Sequence, residues 1–98
     1  MSKPLPNYLL ITDDGVTVTL SKPSELNGIK VDRITLRAPT VRDIRSAQAT
    51  GGTDDEQREL NLFASLAEVG IKDLEGLALK DYSRLQAGYF RLVSEDDV

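Results

Sequence analysis

The chain has 98 residues and contains neither cysteine nor histidine. Disulfides, thiolate nucleophiles, imidazole bases and the usual zinc sites are excluded together, because each needs one of those two side chains. No apolar run approaches the roughly 20 residues of a membrane span, and the patch inside MSKPLPNYLLITDDG is too short for a secretory signal. Gly51-Gly52 is followed neither by Lys-Ser/Thr nor by a G-x-G-x-x-G pattern, so a phosphate loop is unsupported. There is no internal repeat, low-complexity tract or domain linker. These absences point to a single small cytosolic domain, residues 1–98, burying only about 60–65% of its unfolded surface.

Charge is present but uneven. Residues 1–50 hold seven basic and five acidic side chains, whereas residues 51–98 hold five basic and eleven acidic, for a net charge of −4 overall. An acidic second half argues against a general nucleic-acid binder, whose affinity comes largely from neutralising phosphates.

Val16–Asp43 organises the fold. Val16, Val18 and Leu20 alternate with Thr17 and Thr19, the period of a half-buried strand. Ser21–Gly28 carries Pro23 and the dipeptide Asn27-Gly28, which supplies positive φ at a hairpin turn. On the return strand, Ile29–Arg37, the apolar positions change parity between Val31 and Ile34, which predicts a bulge or twist near Asp32-Arg33. Pro39 ends the strand at about Ala38, and Thr40 with Asp43 reads as a helix cap. Ahead of the hairpin, residues 1–14 form a loosely held arm or an extra edge strand through Tyr8–Ile11. Asp13-Asp14-Gly15 lacks the remaining ligands of a calcium loop and reads as a turn.

The rest reads as helix. Val41, Ile44 and Ala47 mark a first helix ending at Gly51-Gly52, and Thr53 with Glu56 predicts the start of a second. That helix carries two apolar stripes, Leu60/Phe63/Ala64/Ala67 and Leu62/Leu66/Val69, and Gly70 should stop it. Ile71–Leu79 is a connector with one helical turn, Lys80–Val93 a last helix, and residues 94–98 an acidic tail. The expected class is α+β: an N-terminal hairpin packed against about three helices.

Chemistry is scarce. The carboxylates of Asp54-Asp55-Glu56, Asp73/Glu75 and Glu95-Asp96-Asp97 sit where solvated charge is expected, so no catalytic, cofactor or metal residue is assigned and no enzyme is expected. Arg33, Arg37, Arg42 and Arg45 form a basic group, but Asp32 and Asp43 lie beside them and no aromatic is interleaved for base stacking. The larger signal is an apolar surplus on the second and last helices. Leu62, Leu66, Val69, Tyr82, Tyr89 and Phe90 are the candidate partner-binding residues, with at least one of the three aromatics on the surface.

One further pattern runs through the chain. Leu20-Ser21-Lys22-Pro23, then Gly28, then Val31 through Leu36-Arg37-Ala38-Pro39 and Asp43, with Leu77 to Asp81-Tyr82 later, resembles the tail assembly chaperones of Mu- and P2-like bacteriophages over roughly residues 16–93. In that pattern Leu20, Pro23, Gly28, Leu36, Arg37, Pro39 and Asp43 are structural positions. The resemblance implies a non-enzymatic protein of the host bacterial cytoplasm that binds the helix-rich tape measure protein and keeps it soluble during tail tube assembly. It also implies a frameshift-extended form, while the small core and wide apolar arc predict self-association. The competing expectations are a structural or adaptor protein of the virion tail and a small nucleic-acid-binding regulator using Arg33–Arg45.

Overall fold

Asn27 and Gly28 both adopt positive φ, 54° and 79°, so two residues suffice to reverse the chain. Around that turn, the computed structural model, which describes residues 6–51 and 54–94, places an antiparallel sheet of three strands. They are β1 (Leu9–Thr12), β2 (Gly15–Leu26) and β3 (Ile29–Arg37), in the order β1-β2-β3. Residues 9–12 are therefore an edge strand. Val16 faces Leu36 and Val18 faces Ile34 across the β2–β3 ladder, while Leu9 faces Val18 across β1–β2. All five are buried and form the sheet's inner face.

Four helices follow among the described residues: α1 (Val41–Gly51), α2 (Asp55–Ala67), α3 (Ile71–Glu75) and α4 (Leu79–Val93). The α+β expectation is met, with α3 as the helical turn of the connector. α4 lies across β1 and β2, α2 packs on β3, and α1 packs on α2. Gly88 lets α4 approach closely, because a Cβ there would lie 3.1 Å from Val18 and 3.2 Å from Leu9. Both stripes of α2 are used. Phe63 is fully buried against Tyr82 and Tyr89 of α4, and Leu62 faces the α1 side with Ala47, where Asn61 Nδ2 donates to Thr50 Oγ1 at 3.0 Å.

Three local expectations need correction. The irregularity opposite Asp32 exists, but its extra residues are on β2: Thr19 pairs with Arg33 and Ser24 with Val31, so Leu20–Pro23 face Asp32 alone. β2 resumes after this bulge, and the turn shrinks from Ser21–Gly28 to Asn27-Gly28. Pro23 is tolerated because a bulged residue owes the ladder no N–H. Second, α2 is capped by Asp54, whose carboxylate accepts from the N–H groups of Glu56 and Gln57; Thr53 lies outside the described residues. Third, α2 ends on left-handed Glu68 (φ 60°), with Val69 N–H donating to Ala64 O, and Gly70 instead starts α3. Most of the acidic tail, residues 95–98, is also outside the described residues.

Candidate functional site

The hairpin is tied to the helices at three places, and these ties set the position of everything else. At the bulge, Ser21 N–H donates to Asp81 Oδ1 at 2.7 Å across sixty positions of sequence. Asp81 is 1% exposed. Burial alone would raise its pKa, but the Ser21 hydrogen bond, with the nearby Lys22 N–H and Arg84 charge, outweighs that and holds the carboxyl below its ordinary value. One turn further along α4, Arg84 donates to Thr19 O at 2.8 Å and its guanidinium stacks 4.4 Å over the Tyr8 ring.

At the hairpin tip, Asn27 N–H donates to Asp73 Oδ2 at 3.1 Å and its side-chain amide donates to Glu68 O at 3.2 Å. At the base, Arg37 makes a bidentate pair with Asp43 at 2.8 and 3.0 Å, and Asp43 also accepts from Thr40 N–H at 2.8 Å. The hydrogen bonds from Arg37 and Thr40 hold the Asp43 carboxyl well below the usual carboxylate range. Among the residues of the family-like pattern, Leu20 and Leu36 are core, Pro23 is in the bulge, Gly28 is in the turn, and Pro39 separates β3 from α1. None of them offers a reactive group.

The apolar surface lies elsewhere. Leu79, Tyr82, Gln86, Phe90 and Val93 are spaced three or four positions apart, which puts them on one face of α4 over about 21 Å. Leu79 is 80% exposed, Phe90 66% and Val93 46%. Beside this stripe, α2, α3 and α4 enclose a groove of about 410 Å³. Leu60, Leu74, Leu77 and Tyr82 form its apolar wall, and Glu56, Glu59 and Glu75 stand around it. Tyr82 Oη donates to Glu59 Oε1 at 2.8 Å, and Gln86 Nε2 donates to the same oxygen at 2.9 Å. Burial, together with the Glu59 hydrogen bond and charge, pushes the Tyr82 hydroxyl far above its ordinary pKa; Tyr89 is raised for similar reasons.

The six candidate partner residues therefore divide. Leu62 (7% exposed) and Leu66 (2%) are core, since α2 packs on both α1 and β3 and Leu62 lies on the α1 side, so both are covered in the fold. Val69, Tyr82 and Tyr89 are half-buried, and Phe90 is on the surface. Leu79 belongs to α4 and not to the connector, and the 3-4-4-3 spacing from Leu79 to Val93 is the sequence signal for it. Of the four arginines, Arg33 pairs with Asp32 and Arg37 with Asp43, while Arg42 and Arg45 stay exposed along α1. That pairing dilutes the basic group. No group of side chains among the described residues could hold a metal ion, and no helix among them is long and apolar enough to cross a membrane.

A family model described as phage tail assembly chaperone proteins, E, or 41 or 14, matches residues 17–94, which takes in the bulged hairpin and all four helices. The chain belongs to the phage tail assembly chaperone family. No curated protein and no solved structure matches it. The matched span includes both halves of the clamp between Ser21 and Asp81, so in this chaperone the hairpin and α4 form one physical unit.

Proposed function

We propose that the chain acts without catalysis, in the host bacterial cytoplasm, by holding the tape measure protein soluble while tail tube subunits polymerise around it. The observation that carries this reading is the exposed stripe of Leu79, Phe90 and Val93 running beside an apolar groove in a tail assembly chaperone. A tape measure is a long, helix-rich chain, and such a chain offers apolar helix faces that a groove between helices can cover. The net charge of −4 keeps the covered complex dispersed.

The test is co-expression with the large helical protein encoded directly downstream. The expected result is a soluble fraction that rises with the chaperone and a complex that co-purifies. Equal solubility with and without it, and no complex, would end the proposal. Purified tails should lack the chain; its retention in them would favour a structural role instead.

A further inference from the structure

We propose that the groove between α2, α3 and α4 receives a basic amphipathic helix, one whose apolar face is flanked by Lys or Arg. This rests on the chaperone reading and names the chemistry of the segment that is held. Two properties of the groove lead to it. Leu60, Tyr82 and Leu79 give it an apolar wall and mouth, and Glu56, Glu59 and Glu75 surround that wall with carboxylates. Among the described residues the ion pairs go to Asp32, Asp43 and Asp55, which leaves all three groove glutamates without a cation.

The three classes of helix that could enter differ sharply in cost. A wholly apolar helix would strip water from the carboxylates and return nothing. An acidic one would add like charge beside a low-dielectric wall, where field lines are focused and repulsion is strengthened. A helix with Lys or Arg beside its apolar face satisfies both parts, and the long stems of those residues can lie along the wall with the charge at the rim. Glu59 is already oriented for this, since Tyr82 and Gln86 both donate to its Oε1 and so fix the carboxylate in place. The α4 stripe extends the contact over about 21 Å, or four helical turns of an incoming segment.

Two synthetic peptides test the proposal: a 20-residue helix with leucines at i, i+3, i+4 and i+7 flanked by lysines, and its twin with glutamates in place of the lysines. Fluorescence anisotropy should show the lysine peptide binding at least about tenfold more tightly than the glutamate twin. The preference should shrink as salt rises from about 50 mM to about 500 mM. The double variant Glu56→Lys/Glu75→Lys, both exposed positions, should reverse the order of the two peptides while lowering the thermal midpoint by only a few degrees, the cost of a cation in the first turn of α2. Amide shifts on binding should centre on Leu60, Leu74 and Leu79.

Equal affinity for the two peptides, or shifts confined to the α1 surface, would overturn the proposal. So would a Glu56→Lys/Glu75→Lys/Leu79→Ser chain that still captures the downstream helical protein at wild-type yield; that result leaves the chaperone reading standing. If the wild type captures no such protein yet binds the lysine peptide, the groove chemistry holds and the chaperone reading fails. Loss of self-association in the triple variant, with no peptide binding by the wild type, would show that a second copy fills the groove and would also overturn it.

Discussion

The hairpin and the α4 stripe handle their side chains in opposite ways. On the hairpin, polar groups are turned inward or tied off: Asp81 takes the bulge N–H, Asp73 and Glu68 take the tip, and Asp43 takes Arg37. On the stripe and groove, apolar groups are left outward and, among the described residues, the groove carboxylates form no ion pair. A polar group tied across the fold is spent on shape, since breaking the tie loses a bond that holds the hairpin against the helices. Unsatisfied surface is what remains for binding. Changes to the first region should therefore reach stability and leave recognition alone, and changes to the second should do the reverse.

The strongest way to break that contrast is Asp81→Ala. It removes the acceptor of the Ser21 N–H and the buried carboxylate behind the bulge, and a loss of about 1–3 kcal/mol in urea unfolding is expected. Asp81→Asn keeps an acceptor and should lose roughly half as much. If Asp81→Ala were neutral, the bulge would be held by something other than this carboxylate. The pH dependence sharpens the point. The folded pKa of Asp81 lies below the unfolded one, so the unfolded chain protonates first as acid is added. The stabilisation is complete above about pH 4 and is lost as pH falls below it, so wild type and Asp81→Asn should converge in acid.

Gly88→Val comes next, because its Cβ would sit 3.1 Å from Val18 and 3.2 Å from Leu9 and force α4 off the sheet. About 1–3 kcal/mol of destabilisation is expected, read as a lower thermal midpoint. Tyr82→Phe lies on the border between the two regions. It removes the hydroxyl that donates to Glu59, and about 1 kcal/mol should be lost. Since the folded Tyr82 hydroxyl has a raised pKa, its stabilisation is complete below about pH 10 and falls as pH rises past that value. The alkaline loss of stability should therefore be smaller in Tyr82→Phe than in wild type.

Leu79→Ser and Phe90→Ser should change stability least, by about 0.5 kcal/mol or less, because both side chains are mostly in water. Their effect should appear in capture of the downstream helical protein, as a lower co-purified yield. A large stability loss with unchanged capture would erase the distinction between the regions.

The amount that was legible from residues alone differs in the same way. Alternation at Val16–Leu20, the Asn27-Gly28 turn and the Thr40–Asp43 cap are local signals with one physical solution each, and all three stand in the structure. The bulge was legible as a parity change but was placed on the wrong strand. Parity on β3 shows that the register slips without showing which partner holds the surplus. The cap at Asp54 and the left-handed Glu68 lie one and two residues from the expected positions, because Thr53 with Glu56 matches the capping-box spacing and glycine is the commoner residue at a left-handed helix end.

The sequence by itself determined the order of the hairpin and helices, the buried face of Val16–Leu20, the lack of thiol and imidazole side chains and, through its pattern, the family. Only the tertiary structure decided that Leu62 and Leu66 are buried, that Ser21 meets Asp81, and that Leu79, Phe90 and Val93 are left in water. Periodicity fixes which side chains share a face, because it depends on backbone geometry alone. Which face then finds a neighbour depends on how helices far apart in sequence pack, and no local pattern contains that.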